Sequence, residues 1–434
     1  MRIAVIGAGI SGLGAAWAMK DLHEVTLFEK EERLGGHANT LTIDYDGEEI
    51  AVDTGFIVFN AHNYPNLVAL LDHLHVETHA SDMSFSVSDP DGFEWSSNGL
   101  GGIFAWKRNL TSPGFLCMLG DIVKFGAQAR ADLRDAKIGA ETLEDYVARL
   151  RLSRGFLSQY LLPMGAAIWS TPERDMLRYP ARSFLSFFNN HRLLETRNRP
   201  QWRTVTGGSI SYVETIRRQL GHRVRSGDPV VSVTRDGAEV LVRTASGSEA
   251  RFDQVVMASH TDETLAMLTD ATSAERAALS AIRYAPNTAY LHRDESLMPK
   301  RKAAWASWNY LRGRGDGSRV CVSYWMNRLQ KINDARPLFV TLNPPAPPAP
   351  ELTFAKLSYD HPQFDNAALQ AQGAVEAMQG HNRTWFAGAW LGHGFHEDGL
   401  ASGFRVAKRL GARLPWSEAQ PSARPAPELV PVPA

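Results

Sequence analysis

Gly7, Gly9 and Gly12 in Gly7-Ala-Gly9-Ile-Ser-Gly12, with the acid Glu29 following them, have the types and spacing that bind a nucleotide. Gly7 permits a tight turn, Gly9 lets the backbone approach a pyrophosphate, and Gly12 lets a helix pack close to a strand. A helix starting there offers free N–H groups and the positive end of its dipole to a phosphate. Glu29 would accept hydrogen bonds from the adenosine ribose hydroxyls. Specific elements must hold these residues in place. Arg2-Ile-Ala-Val-Ile6 reads as an apolar strand, an alanine-rich helical run reaches Lys20, and Val25-Thr-Leu-Phe28 reads as a second strand ending on Glu29. Together they specify a dinucleotide-binding unit, which the glycine spacing alone would not.

A second glycine pair follows at once, in Glu31-Glu-Arg-Leu-Gly35-Gly36-His37, and then Asp53-Thr54-Gly55-Phe56. Both resemble segments of the flavin amine oxidase and phytoene desaturase superfamily. There an ER-x-GG stretch lies along the FAD phosphates, and the Asp-Thr-Gly stretch lies beside the flavin. Thr206-Gly207-Gly208-Ser209 resembles the glycine pair that precedes a helix in phytoene desaturases. Trp385-Phe-Ala-Gly388-Ala-Trp390 and Gly394-Phe-His396-Glu397-Asp398-Gly399-Leu400-Ala-Ser402-Gly403 resemble the superfamily's closing FAD motif. Ala389 departs from it, standing where the family usually has an acid. The resemblance has three anchors, at residues 3–37, 207–257 and 385–410. It implies FAD, held non-covalently because no cysteine adjoins the closing motif. The implied cofactor-binding residues are Gly7, Gly9, Ile10, Ser11, Gly12, Glu29, Lys30, Gly35, Gly36, His37, Asp53, Thr54, Gly55, Val231, Gly388, Gly399, Leu400 and Ser402. Val231 would contact adenine through its backbone.

The intervening sequence supplies the rest of the architecture. Leu41 to Ile50, centred on Asp46-Gly47, reads as a hairpin. Pro65 to His75 reads as an amphipathic helix with Leu67, Leu70, Leu71 and Leu74 on one face. Gly114 to Leu133 and Leu143 to Leu150 repeat that spacing in the most helical stretch, residues 100–195. Short strands at Pro229–Thr234, Ala238–Arg243 and Ala250–Met257, joined by Asp236-Gly237 and Ser246-Gly247 turns, form a meander. Thr288–His292 and Val320–Trp325 read as further strands. The expected fold is α/β: a discontinuous Rossmann-type FAD-binding domain (1–60, 200–262, 380–416) plus a substrate domain (61–199, 263–379) with an antiparallel sheet and a helical lid. Residues 417–434, rich in Pro and Ala, are expected to be disordered.

Composition narrows the function classes. The chain has 434 residues and a formal net charge of −1, so no global basic field attracts nucleic acid. Its two cysteines, Cys117 and Cys321, lie far apart without CxxC or His-rich neighbours, which suggests neither a disulfide framework nor a metal site. The apolar N-terminus is needed by the glycine motif and does not read as a signal peptide. No run of about eighteen apolar residues suggests a membrane span. A cytoplasmic flavoprotein, peripheral at the inner membrane face, is expected.

A closer resemblance bears on the reaction. Leu162-Pro-Met-Gly-Ala-Ala-Ile-Trp-Ser170, Phe187-Phe-Asn-Asn-His191, Arg199-Pro-Gln-Trp-Arg-Thr-Val-Thr-Gly-Gly208 and the Gly394–Gly403 segment are similar to a bacterial group within the superfamily. Some members of that group are associated with cyclopropane-fatty-acid-synthase-like methyltransferases, and one branch desaturates a membrane acyl chain in furan fatty acid synthesis. The resemblance implies a desaturase or dehydrogenase of unsaturated acyl chains in membrane phospholipid, with a methyltransferase as a possible partner. The alternatives are a flavin amine oxidase or carotenoid-type desaturase, or a non-catalytic flavin-bound partner of a lipid methyltransferase. Desaturation needs a base beside the flavin, and His396, Glu397 and His191 are the candidates, histidine being the readiest near neutral pH. Trp106-Lys107-Arg108 with Phe115–Leu119, and Leu297–Trp305, mix basic, aromatic and apolar residues as headgroup-layer contacts do.

Overall fold

The computed structural model describes residues 1–169, 171–195, 199–313 and 320–416; the expected disorder of 417–434 falls outside them. Its centre is a five-stranded, all-parallel sheet in the order Val224–Ser226, Glu24–Glu29, Arg2–Ile6, Gln254–Met257, Thr384–Phe386. The three inner strands are apolar runs because helices or the meander cover both faces. On one face pack the helices Ile10–Met19, Ile210–Leu220 and His396–Arg409 around Leu13, Trp17, Ile216 and Phe404. The other face meets the antiparallel meander Val230–Arg235, Val240–Thr244, Glu249–Phe252 through Val233, Val242 and Phe28.

A seven-stranded sheet forms the second layer, in the order Thr353–Gln363, Arg283–His292, Phe339–Leu342, Val322–Trp325, Trp308–Leu311, Phe85–Ser88, Glu94–Ser96. Its pairs are antiparallel except Trp308–Leu311 with Phe85–Ser88. The helices Pro113–Arg134, Leu143–Arg149, Leu162–Trp169 and Ala181–Asn190 form an apolar cluster of their own with one end of that sheet. These helices fall within the stretch 100–195 expected to be the most helical. The hairpin Thr40–Tyr45/Glu48–Asp53 turns through Asp46 and Gly47, both at positive φ (52° and 88°), the geometry that an Asp-Gly turn favours.

The helix Pro65–His73 buries Leu67, Leu70 and Leu71 in the nucleotide-side core, against the helix His396–Arg409. The helices Thr261–Met267 and Ser273–Ser280 likewise pack on the parallel sheet's meander side. The helices Pro65–His73 and Ser273–Ser280, within the spans expected for the substrate domain, and Thr261–Met267, at its boundary, thus pack beside the parallel sheet. Among the described residues no helix is long and apolar enough to cross a membrane.

Candidate functional site

The first strand ends at Gly7, where φ is +101° and a Cβ would stand 2.8 Å from the Ala258 carbonyl oxygen. A Cβ on Gly12 would stand 1.9 Å from the Gly7 oxygen, so strand and helix could not approach as they do with any other residue there. Gly9 differs. A Cβ on it would meet nothing within 4 Å, and no side chain caps the helix that starts after it. The helix's first N–H groups and the open space before them form a cradle for an anion. Glu29 sits at the end of its strand with Oε2 accepting the Ala8 N–H at 2.8 Å and Oε1 accepting the Glu31 N–H at 3.1 Å. The acid is fixed against the glycine loop.

The second glycine pair crosses this loop. Gly35 N–H donates to the Ala8 carbonyl at 2.8 Å, and a Cβ on Gly36 would lie 3.1 Å from Gly9 Cα. His37 follows, and its Nε2 is buried without a partner in the protein. An unpartnered polar atom next to an open glycine cradle fits a bound dinucleotide. Lys30 points elsewhere, pairing with Glu263 at 2.6 Å, and this bond raises its pKa. Val231 is half exposed, where the ladder between the first two meander strands shifts register.

Asp53, Thr54 and Gly55 hold the surrounding backbone. Asp53 is buried and accepts from Thr40 Oγ1 (2.6 Å), Ser209 N (2.9 Å), Ser209 Oγ (2.7 Å) and Gln330 Nε2 (3.2 Å). Burial raises its pKa, and those donors oppose the shift. Thr54 Oγ1 donates to the Asn39 carbonyl at 2.9 Å and lies 2.6 Å from Tyr359 Oη, while a Cβ on Gly55 would strike the His37 carbonyl oxygen at 2.3 Å. The sequence pattern marked this segment as lying beside a flavin. It did not reveal that Asp53 anchors the turn into the helix Ile210–Leu220.

The closing motif is built against the first. Gly399 packs on Ile10 and Ser11, Leu400 on Gly14, and Gly403 on the Ser11 carbonyl, where a Cβ would stand at 2.2 Å. Two helices therefore begin side by side, one after each glycine motif. Ser402 Oγ accepts the Gly388 N–H at 2.9 Å and donates to the Gly399 carbonyl at 2.6 Å, tying the strand end to the helix.

The three candidate bases fall in different places. His396 is buried, stacked on Phe56 with ring centroids 3.8 Å apart, and its Nε2 lies 2.6 Å from Tyr212 Oη. Burial pushes its pKa down to about 3 and the Tyr212 phenol upward, so the phenol donates to a neutral imidazole. Glu397 accepts from Asn66 N (2.9 Å), Asn66 Nδ2 (2.7 Å) and Leu67 N (3.0 Å), capping the helix Pro65–His73. Burial raises its pKa to about 7 against those bonds. Its bonds are those of a helix cap. Glu397→Ala should cost about 2 kcal/mol of stability, seen as a lower denaturant midpoint with an unchanged slope. His191 donates from Nδ1 to the Phe187 carbonyl at 3.0 Å, which leaves the lone pair on Nε2. Its ring stacks on Phe187 at 3.9 Å and lies 5.5 Å from Phe395, and burial lowers its pKa to about 4.

Sequence reasoning missed the neighbours of His37. The rings of Tyr359, His361 and His260 lie 5.1, 5.6 and 6.5 Å from it, and Tyr284 stacks on His260 at 4.3 Å. These residues come from three segments, Tyr359 and His361 sharing the strand Thr353–Gln363, and none is adjacent to His37 in sequence. Among the described residues no group of His, Cys, Asp and Glu is arranged to hold a metal.

Comparison with known proteins agrees with this geometry. The family described as flavin containing amine oxidoreductase matches residues 10–320. A 4,4'-diapophytoene desaturase (4,4'-diaponeurosporene-forming) of Staphylococcus aureus (strain Newman) is 53% identical over 45 residues, 10% of this chain and 9% of that protein. The chain thus aligns with only a small part of the curated relatives it matches. A solved CLA-producing fatty acid isomerase from P. acnes superposes over 95% of this chain and 99% of that one, with a TM-score of 0.66 and 17% identity. A wild-type putrescine oxidase bound to putrescine superposes over 94% and 99%, with a TM-score of 0.68 and 15% identity. At these identities the likeness is one of fold.

Proposed function

The chain belongs to the flavin-containing amine oxidoreductase family, with FAD as its cofactor, and on that premise we propose that it desaturates an unsaturated fatty acyl chain of membrane phospholipid. The observation that carries this reading is the wall beside the closing motif. Phe395, the residue before His396, stacks on Phe187 at 4.9 Å, and Phe187 lies 4.7 Å from Trp169. These rings are continuous with the apolar cluster of the helical layer, which reaches Phe125 and Phe156. The acids of the motif are engaged elsewhere: Glu397 caps a helix, and Asp398 accepts from His393 N (3.0 Å) and Phe395 N (2.9 Å). The wall therefore offers apolar contact to a chain, and the motif's carboxylates are not turned to a protonated amine. A fatty acid isomerase and a putrescine oxidase are both among the structural neighbours, so the fold accommodates either substrate class and it is the wall that supports the acyl one.

Desaturation breaks two C–H bonds and forms one C=C bond. Bound FAD supplies the acceptor for two electrons and one hydrogen, and a protein base takes the remaining proton. Of the three candidates, His191 has its ring in the aromatic wall, whereas His396 Nε2 is engaged by Tyr212 and Glu397 by a helix end. His191 is accordingly the proposed acceptor, and the protein's further tasks are to orient the chain and exclude water.

Anaerobic mixing tests the proposal: unsaturated phospholipid dispersed in detergent should bleach the flavin, and primary or secondary amines should not. Bleaching by amines alone would establish an amine oxidase, and none by any substrate would favour a non-catalytic partner of a methyltransferase. Leu161 is fully buried and would unfold the protein if charged, but Ile168 is only partly buried against the aromatic cluster. Ile168→Glu should retain FAD and lower kcat/KM for dispersed lipid by about tenfold or more. Unchanged kinetics would place the acyl chain elsewhere.

A further inference from the structure

The long helix Pro113–Arg134 buries Phe115, Met118, Phe125 and Ala129 on one side. Its other side carries exposed Leu116 and Val123, seven residues apart and so on one face, with Cys117, Gly120 and Ala127 exposed beside them. The short turn before it, Lys107–Leu110, exposes Leu110, and the preceding helix Gly99–Ile103 exposes Leu100. Leu100, Leu110, Leu116 and Val123 are 75%, 55%, 46% and 59% exposed, and they make up four of the seven large exposed hydrophobic residues described. Their outward setting is fixed by the fold. Asn109 is buried and donates to the Glu94 and Ile103 carbonyls, and Ser112 caps the long helix by accepting from Phe115 N. Turning the leucines inward would break these bonds.

The charge around them is predominantly basic, the exposed acid beside the cleft being Asp91. Between residues 92 and 131 the only acids are Glu94 and Asp121, both buried, while Lys107, Arg108 and Lys124 are exposed. A second basic segment, remote in sequence, joins this face. The turn Lys302–Ala304 packs on Gly99–Ile103, and the Trp106 ring has the Arg301 guanidinium 5.9 Å and the Arg108 guanidinium 5.5 Å from its centre. Arg301 is paired with Glu94 and Lys302 with Glu295, but Lys107 and Lys124 carry no ion pair among the described residues. A cleft of about 300 Å³ opens beside the leucines, lined by Asp91, Phe93, Trp106, Phe115, Gly155 and Gln159, and its inner rings belong to the helical layer's apolar cluster.

We propose that this face, Leu100, Leu110, Leu116 and Val123 rimmed by Lys107, Arg108 and Lys124, docks on an anionic phospholipid bilayer. Exposed leucines enter the acyl boundary while the lysines and arginine meet headgroup phosphates. The excess of exposed base over exposed acid at this face, Lys107, Arg108 and Lys124 against Asp91, favours a negatively charged occupant. The proposal deepens the acyl-lipid reading by stating how the enzyme reaches its substrate.

FAD-loaded protein should sediment with vesicles of phosphatidylglycerol and phosphatidylcholine, and bind pure phosphatidylcholine vesicles about tenfold or more weakly. Leu110→Glu/Leu116→Glu and, separately, Lys107→Glu/Arg108→Glu should each lower that binding by about tenfold or more with FAD content and thermal midpoint retained. Wild-type protein that stays in the supernatant, or variants that sediment like it, would overturn the proposal. So would a dimer in light scattering that the double leucine variant dissociates, because the face would then belong to a second copy. Flavin bleaching by detergent-dispersed phospholipid needs no docking. Vesicle binding without bleaching would therefore reject the acyl chemistry, and bleaching without vesicle binding would reject the docking face.

Discussion

Gly9→Val should give a folded, colourless protein, and Gly12→Val should give no folded protein at all. The two glycines stand three residues apart in one motif, yet the space around them differs. Gly9 has φ −66° and ψ 177°, an extended conformation that valine adopts readily, and its Cβ direction is empty within the protein. The substitution fills only the cradle where a pyrophosphate would lie. At Gly12 the same change forces a side chain against the Gly7 oxygen, which stands 1.9 Å from the Cβ position. Relief there would require the first helix to leave the sheet, and overpacking of a core costs about 1–3 kcal/mol even where repacking is possible. The checks are circular dichroism, thermal unfolding and the flavin content of the purified protein. Yellow, FAD-saturated Gly9→Val would show that the cofactor phosphates do not cross this loop.

Acidification should destabilise the protein steeply below pH 6.5. Burial pushes His37 and His396 down to about 3 and His191, His292 and His361 down to about 4. The unfolded chain would take up protons at an ordinary histidine pKa that the folded chain refuses. Their contribution is therefore complete above pH 6.5 and is lost as pH falls toward 3–4. Between pH 6.5 and 5 each such histidine costs about 2 kcal/mol. Glu397, raised to about 7, and Asp89, raised to about 6, act in the opposite sense because their folded forms bind protons more tightly. Together they return about 3 kcal/mol over the same interval, and Asp53 and Asp398, which burial also raises, return more, so the net loss is smaller than the sum for five histidines. Denaturant midpoints at pH 7.5 and 5.0, both at saturating FAD, measure it. His292→Gln should flatten the dependence by about 2 kcal/mol, the contribution of one buried histidine. Equal midpoints at the two pH values would reject the burial argument.

The elements with strong local signals were legible in the sequence. Alternation and turn chemistry located the hairpin through Asp46-Gly47 and the meander, and apolar spacing located the helices at Pro65–His73 and Pro113–Arg134. The site was legible where glycine is required by close approach, because no other residue fits at Gly7 or Gly12. What stayed hidden depends on partners distant in sequence. Nothing in Asp53-Thr54-Gly55 announces that the acid binds Ser209. Nothing in Gly394–Gly403 announces that Glu397 caps a helix more than 300 residues earlier. His260 and His361 carry no periodic or spacing signal, and only the folded chain brings them to His37. The strands Phe85–Ser88 and Glu94–Ser96 were also missed, being short: the first pairs with Trp308–Leu311, more than 200 residues away, and the second pairs with the first.

The order of strands in the parallel sheet has a consequence for synthesis. Its edge strand Thr384–Phe386, which pairs with Gln254–Met257, and its covering helix His396–Arg409 are made late, whereas the helix Ile10–Met19 that the latter packs against is made early. The nucleotide layer therefore cannot close while the chain is growing. During that interval the apolar faces of the first helix and first strands wait uncovered, and closing contacts across nearly 400 residues is slow by its topology. Full enclosure of the cofactor site is accordingly expected only once Thr384–Phe386 and His396–Arg409 have been made.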